Sequence, residues 1–176
     1  MTERQPTRRQ IGRGTIAILG GVAAAALLGR DRPAGAADTA TPETRFPIMK
    51  TEAEWKAALS PEQFRVLRKH GTERSGTSPL DKTYAPGTYA CAGCGQVIYT
   101  SETKFDSGTG WPSFWKPVEG AIGTSVDRSL FATRTEVHCS RCGGHLGHVF
   151  DDGPQPTGQR YCMNGVAMTF VPKAGN

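Results

Sequence analysis

Five cysteines stand in this 176-residue chain, four in two matched pairs and one alone. Cys91 and Cys94 form one C-x-x-C pair; Cys139 and Cys142 form a second, after an interval of 44 residues. Four thiolates in two such pairs close a tetrahedral shell around zinc, and a closed shell leaves no open position for chemistry. A glycine follows each pair, Gly95 and Gly143, which suits a tight turn whose amides face the sulfurs. Three rivals stand beside a four-cysteine zinc site. Two disulfides would use the same residues. Cys139, Cys142, His145 and His148 could make a mixed site, though that run is crowded and would leave Cys91 and Cys94 unexplained. A redox C-x-x-C motif is the third, and two matched copies in a strand-rich context argue against it.

The fifth cysteine is then the candidate for chemistry. It lies in Arg160-Tyr161-Cys162-Met163-Asn164. On a strand, Arg160, Cys162 and Asn164 share one face, while Tyr161 and Met163 take the other. A guanidinium beside a thiol favours the thiolate, the nucleophilic form. Asn164 could hold a bound group by hydrogen bonding. The plainer reading is a buried structural cysteine beside a surface arginine. Two further segments bear on the choice. His145-Leu146-Gly147-His148 supplies two imidazoles just after the second cysteine pair, each a structural histidine or a proton donor. Ser107-Gly108-Thr109-Gly110-Trp111-Pro112-Ser113-Phe114-Trp115 is a glycine-hinged aromatic loop, either packed core or an apolar wall for a small methylated group.

Other elements must position these groups. Thr51-Glu52-Ala53-Glu54 is a capping box and predicts a helix running to about Leu59. Ser60-Pro61-Glu62-Gln63 predicts a second, with Phe64, Leu67 and Arg68 at helical spacing and Gly71 as its stop. Trp55 and Phe64 are the expected core anchors of the pair. From about Thr83 the texture changes to short apolar runs between turns. Strands are expected at Tyr89-Ala90-Cys91, Val97-Ile98-Tyr99, Leu130-Phe131-Ala132, Glu136-Val137-His138 and Ala167–Val171. The expected fold class is α+β, mainly antiparallel β, with helices at one side and zinc clamping two β-turns.

Four of these motifs, in order, make the chain resemble the MsrB class of peptide-methionine (R)-S-oxide reductases. The resemblance runs from about Thr51 to Phe170. It rests on Cys-Ala-Gly-Cys-Gly, Ser-Gly-Thr-Gly-Trp-Pro-Ser-Phe, Cys-Gly-Gly-His-Leu-Gly-His-Val-Phe-Asp and Arg-Tyr-Cys-Met-Asn, with the cysteine pairs in family order. It implies two small antiparallel sheets in a β-tent over residues 48–173, with one structural Zn2+ on Cys91, Cys94, Cys139 and Cys142. Cys162 would attack the sulfoxide sulfur and become a sulfenic acid. His145 and His148 would supply or position the proton, Arg160 would favour the thiolate, and Asn164 would position the substrate. Trp111 would hold the S-methyl group, with Phe114 beside it in the substrate wall. Many relatives carry a resolving cysteine in the Ser-Gly-x-Gly-Trp-Pro loop; here that position is Thr109. The implied enzyme therefore relies on an external thiol reductant, thioredoxin-like or relayed across a membrane. Two readings from other classes stand beside it: a non-catalytic zinc-stabilised peptide- or ligand-binding module, and a zinc-containing thiol enzyme acting on peroxides.

The N-terminus carries its own message. Arg8-Arg9 precedes an apolar run from Thr15 to Leu28, about 21 Å as a helix and short of a ~30 Å hydrocarbon core. Ala34-Gly35-Ala36 follows as a cleavage site. Residues 1–36 read as a twin-arginine signal peptide, and 37–47 as a polar linker. An uncleaved anchor or a basic tail is the alternative. Six of the 21 basic and two of the 16 acidic residues lie before residue 37, which leaves 15 against 14. The net charge of +5 thus belongs mostly to the signal and does not point to nucleic acid. The expected destination is the bacterial periplasm, where an odd cysteine count would leave a free thiol. The twin-arginine machinery moves folded proteins, so zinc can be loaded in the reducing cytoplasm first. Rerouting the chain unfolded through the general secretory path is expected to give disulfide-linked, zinc-poor protein. Equal zinc content by metal analysis on both routes would refute this.

Overall fold

The computed structural model describes residues 46–129 and 132–174. The signal segment, most of the linker, and Leu130 and Phe131 of the expected third strand lie outside these residues; Ala132 sits in a bend. Two helices open the described chain, α1 (Glu52–Ala58) and α2 (Pro61–Lys69). Both begin as their sequences predict. The Thr51 hydroxyl accepts from Glu54 N at 3.3 Å, and the Glu54 carboxylate accepts from Thr51 N at 2.7 Å. Ser60 and Gln63 repeat the exchange at 3.2 and 3.0 Å. Each cap is worth about 1 kcal/mol.

The end of α2 differs from expectation. Its left-handed cap is His70 (φ 53°) rather than Gly71. The imidazole there has a partner, with Nδ1 2.9 Å from the Glu136 carboxylate. Gly71 is needed for close approach instead, since a Cβ would press on the Arg65 carbonyl and side chain. Trp55 is buried as expected, but Phe64 is only half-buried, with the Lys56 and Lys69 ammonium groups over its ring. Val66 and Leu67 are the fully buried residues of α2.

Among the described residues nine strands follow: β1 (Gly87–Cys91), β2 (Val97–Thr100), β3 (Lys104–Phe105), β4 (Ser113–Phe114), β5 (Ile122–Asp127), β6 (Arg134–Cys139), β7 (His145–Phe150), β8 (Arg160–Met163) and β9 (Met168–Pro172). They form two antiparallel sheets, β2-β1-β9 and β3-β4-β8-β7-β6-β5. The fold is therefore mainly antiparallel β with two helices at its start, as expected. Ala167 closes a 3-10 turn (Gly165–Ala167), so β9 starts one residue later than the apolar run suggested. Among the described residues no helix is long and apolar enough to cross a membrane.

An aromatic core joins the sheets. Tyr99 of β2 stacks on Phe114 of β4 at 4.2 Å, and Tyr89 of β1 meets Phe114 edge-on at 4.9 Å. Such pairs add about 1 kcal/mol each to simple area burial. Met163 is fully buried beneath the Tyr99 hydroxyl, and Tyr161 faces Tyr99 as well. Those two residues thus occupy the core face of β8, which leaves Arg160 and Cys162 on the other.

Register decides what shares that other face. Strand β7 pairs with β6 as Glu136↔His148, Val137↔Gly147 and His138↔His145, so Leu146 is an extra residue, a β-bulge. Strands β7 and β8 pair as Gly147↔Met163 and His148↔Cys162. Gly147 is required there. A Cβ would run into the Cys162 carbonyl oxygen and the Met163 backbone. Overpacking of this kind costs ~1–3 kcal/mol. Gly147→Ala is expected to lower Tm by several degrees, ~4–8 °C per kcal/mol, and to lower reactivity at Cys162 more than Tm alone explains. Thermal melts together with Cys162 alkylation rates measure both.

Candidate active site and metal centre

The four paired cysteines meet where the two sheets join. Each pair sits in a turn with the same hydrogen bonds. Cys91 N donates to Gln96 O and Gly95 N to Cys91 O; Cys139 N donates to Gly144 O and Gly143 N to Cys139 O. Gly95 and Gly143 occupy positive φ, 72° and 66°, where a side chain would be strained. The first turn joins β1 to β2 and the second joins β6 to β7, so the cluster ties one sheet to the other.

All four sulfurs lie within 4.8 Å of one another. The close pairs cross between turns, Cys91 to Cys142 at 3.7 Å and Cys94 to Cys139 at 3.5 Å. A disulfide needs about 2.05 Å, so these are not disulfides. Tetrahedral zinc at ~2.3 Å from each sulfur separates the sulfurs by ~3.8 Å, which matches. The Cys139 thiolate hydrogen-bonded beside it pushes the Cys91 thiol far up. Four thiolates at this spacing need a cation between them, and the set fits a metal such as zinc. Arg68 supports the second turn by donating to Cys142 O at 2.9 Å. The mixed site with His145 and His148 is not formed, because both imidazoles are held elsewhere by carboxylates.

Cys162 lies in a row of registered residues across the larger sheet. Ser113 of β4 pairs with Cys162, Cys162 with His148, His148 with Glu136, and Glu136 with Ser125. Paired residues share a face and stand about 5 Å apart at Cβ. His145 would sit on the opposite face, because an odd offset from His148 reverses direction on a strand. The bulge at Leu146 cancels that reversal. The two imidazoles come to 5.4 Å between ring centroids, and both engage carboxylates of this face.

Each histidine has its own carboxylate. His145 is only 2% exposed, and its Nδ1 lies 2.6 Å from Glu136 Oε1. His148 Nε2 lies 2.7 Å from Asp127 Oδ2. The Asp127 carboxyl is held well below its ordinary range, first by the Ser129 backbone and side chain, then by His148, with Arg134 adding charge. Burial works against the Glu136 charge, but hydrogen bonds from His145, His70 and Ser125 outweigh it and hold that pKa low too. Burial also lowers the His148 pKa, so its ring favours the neutral form.

The surroundings of Cys162 modify one expectation. Arg160 favours the thiolate, but its Nε and Nη2 are bound to the Asp152 carboxylate, both at 2.8 Å. Burial dominates and pushes the Cys162 thiol up, against the Thr109 hydroxyl, the Arg160 charge and Ser113. Thr109 Oγ1 lies 3.8 Å from Sγ and belongs to a hydroxyl chain with Ser107 and Ser113 at 2.8 and 2.7 Å. The resting group is thus a protonated thiol near neutral pH, beside a neutral imidazole.

A cavity of about 230 Å3 opens over Cys162, walled by Trp111, His148, Arg134, Phe150 and Asn164 among others. Trp111 lines the cavity, its indole N–H donating to Glu73 O at 3.2 Å. Phe114 is not in this wall. It is fully buried in the aromatic core, because on β4 it faces opposite to Ser113. Asn164 reaches the cavity, yet its side chain is also structural. Oδ1 accepts from Glu73 N at 2.9 Å, and Nδ2 donates to Leu146 O at 3.0 Å. Nothing in the spacing of the sequence around Glu73 marks it as part of the site. Its buried carboxylate accepts from Gly165 N and Val166 N at 2.5 and 3.0 Å, and its backbone holds Trp111 and Asn164. A larger cleft of about 760 Å3 lies beyond Glu73, lined by no cysteine or histidine.

A thiol and a carboxylate-held imidazole facing each other on antiparallel strands, beside a four-cysteine clamp, define a β domain built for thiol chemistry. The chain belongs to the SelR domain family, which it matches over residues 59–172. It is 51% identical over 126 residues to the peptide methionine sulfoxide reductase MsrB of Leptospira interrogans, covering 71% of this chain and 96% of that one. The same-named protein of Agrobacterium fabrum is 50% identical over 126 residues, covering 71% and 93%. That of Methanosarcina mazei is 53% identical over 125 residues, covering 70% and 89%.

Alkylation tests the resting state of the thiol. The rate of iodoacetamide modification at Cys162 is expected to rise about tenfold per pH unit up to above pH 9, as the thiolate fraction grows. Arg160→Ala should move the curve further up. A plateau already reached at pH 7 would contradict burial as the dominant influence.

Proposed function

We propose that this chain is a peptide-methionine (R)-S-oxide reductase acting through Cys162. The register of Cys162 against His148, at the floor of a cavity walled by Trp111, supports this reading best. The sulfoxide sulfur is electrophilic once its oxygen is hydrogen-bonded or protonated. A methyl group packed on Trp111 would turn that sulfur toward Cys162 Sγ. The Cys162 thiol proton passes to a histidine as the S–S contact forms, and from there to the sulfoxide oxygen. The oxygen leaves on Cys162 as sulfenic acid, Cys–SOH, and the sulfide side chain departs as methionine. Two external thiols then return Cys162 to the thiol, forming one disulfide and one water. The resemblance, with the MsrB relatives, supports the R epimer and the external reductant.

Thr109 makes this a one-cysteine enzyme in our reading. The other four cysteines would hold one structural Zn2+ and take no part in turnover. The twin-arginine pattern and the Ala34-Gly35-Ala36 site support export, and with it repair of oxidised proteins outside the cytoplasm, by electrons relayed across the membrane.

The decisive assay uses a blocked peptide carrying each methionine sulfoxide epimer, with dithiothreitol as reductant. The R epimer should be consumed and the S epimer left, and Cys162→Ser should lose all activity while keeping its zinc. Mass spectrometry after one turnover without reductant should show +16 Da on Cys162 and no disulfide. Turnover of both epimers alike, or of hydrogen peroxide in preference to either, would refute the assignment. An intramolecular disulfide with intact zinc would refute the one-cysteine form of it.

A further inference from the structure

Nothing in the sequence motifs distinguishes the two histidines, but their surroundings do. Asp127 and Glu136 are both ionised acceptors, so the ring nitrogen facing each must present a hydrogen. For His148 that nitrogen is Nε2, 2.7 Å from Asp127 Oδ2. For His145 it is Nδ1, 2.6 Å from Glu136 Oε1. The two imidazoles are therefore held as opposite tautomers. Nδ1 is the open nitrogen of His148, whose ring walls the cavity with Cys162. Nε2 is the open nitrogen of His145, and it is buried without a hydrogen-bond partner.

We propose that Asp127 and Glu136 are positioning residues of the Cys162 site, one for each histidine. Asp127 aims His148 Nδ1 at the reacting atoms, and Glu136 locks His145 behind it as a support. This rests on the reductase reading above and deepens it, because it names the histidine that exchanges the proton. His148 Nδ1 takes the proton from Cys162 Sγ as the sulfur attacks. The imidazolium that forms is stabilised by the Asp127 charge. The same nitrogen then gives the proton to the sulfoxide oxygen as the S–O bond breaks, so His148 ends the step neutral.

The carboxylates are built for this duty. Asp127 is fixed on three sides, by Ser129 N at 2.8 Å, Arg134 Nη2 at 2.7 Å and His148. Arg134 also walls the cavity, so the Asp127 pair with His148 extends to its edge. Glu136 is fixed by Ser125, by His145, and by the exposed His70 at the end of α2. Asp127 and Arg134 form one cross-strand pair, and Ser125 and Glu136 another two residues along. All four therefore lie on the face that carries His148 and Cys162.

Imidazole nitrogen NMR on the 15N-labelled, zinc-loaded chain tests the assignment directly. Wild type should show His148 in the Nε2–H form and His145 in the Nδ1–H form. Asp127→Ala should release the His148 tautomer and leave that of His145. It should lower kcat for the R-sulfoxide peptide ~10–100-fold, with KM changed less than about twofold. Asp127→Asn keeps the volume and should lower kcat in the same sense if Asp127→Ala folds poorly. Glu136→Gln should disturb His145 and leave the His148 tautomer in place. Both histidines in one tautomer in wild type would overturn the proposal. So would an unchanged His148 signal in Asp127→Ala, or unchanged kcat in both Asp127 variants of an active wild type. A wild type that reduces neither epimer would instead sink the reductase reading, with the tautomers still deciding the placement of the nitrogens.

Discussion

The pairing of β7 with β8 is the constraint on which this site rests. Side chains alternate along a strand, so a slip of one residue would move Cys162 into the aromatic core and Met163 out of it. The core prevents the slip. Met163 is fully buried under Tyr99, and Gly147 lets the two backbones approach where no side chain could fit. The same pairing sets Cys162 opposite His148, and the neighbouring strands extend the row to Ser113 and Glu136. Packing on one face of the strand thus fixes chemistry on the other.

The four-cysteine cluster works at a different scale. The sheets are small and their strands short, and a domain of this kind gains much stability from a bound metal. Two turns of the same hydrogen-bond pattern bring sulfurs from both sheets together. Strand β7 leaves the second turn directly, so the histidines begin three residues after Cys142. The clamp therefore holds the strand on which His145 and His148 stand, although it contributes no group to the cavity over Cys162. Glu73 performs a related service from the other side. Its carboxylate secures the turn after Asn164, and its backbone holds Asn164 and Trp111. Two distant anchors, one of sulfur and one of carboxylate, bracket a reactive thiol that burial keeps protonated.

The protonated thiol sharpens the chemistry. A free thiolate would react with any passing electrophile. Burial holds Cys162 as a thiol, while His148 is kept neutral and able to accept its proton. In the reading proposed here, ionisation waits for a sulfoxide to fill the cavity. Arg160, which the pentapeptide alone makes the activating group, is tied to Asp152 and has a lesser influence than burial.

By itself the sequence determined the helix starts, the four-to-one division of cysteines, the predominance of antiparallel β and the segment around Cys162. These depend on local spacing: capping boxes, C-x-x-C pairs and alternating faces are written in neighbouring residues. Tertiary structure alone decided which carboxylate holds each histidine, because that depends on Asp127 and Glu136, brought alongside by the pairing of the two preceding strands. It also decided that Phe114 is core rather than wall, that His145 and His148 share a face through a bulge, and that Glu73 supports the site. Spacing gives no sign of these. A bulge is a property of paired strands, and a carboxylate's partners are set by where other segments pack.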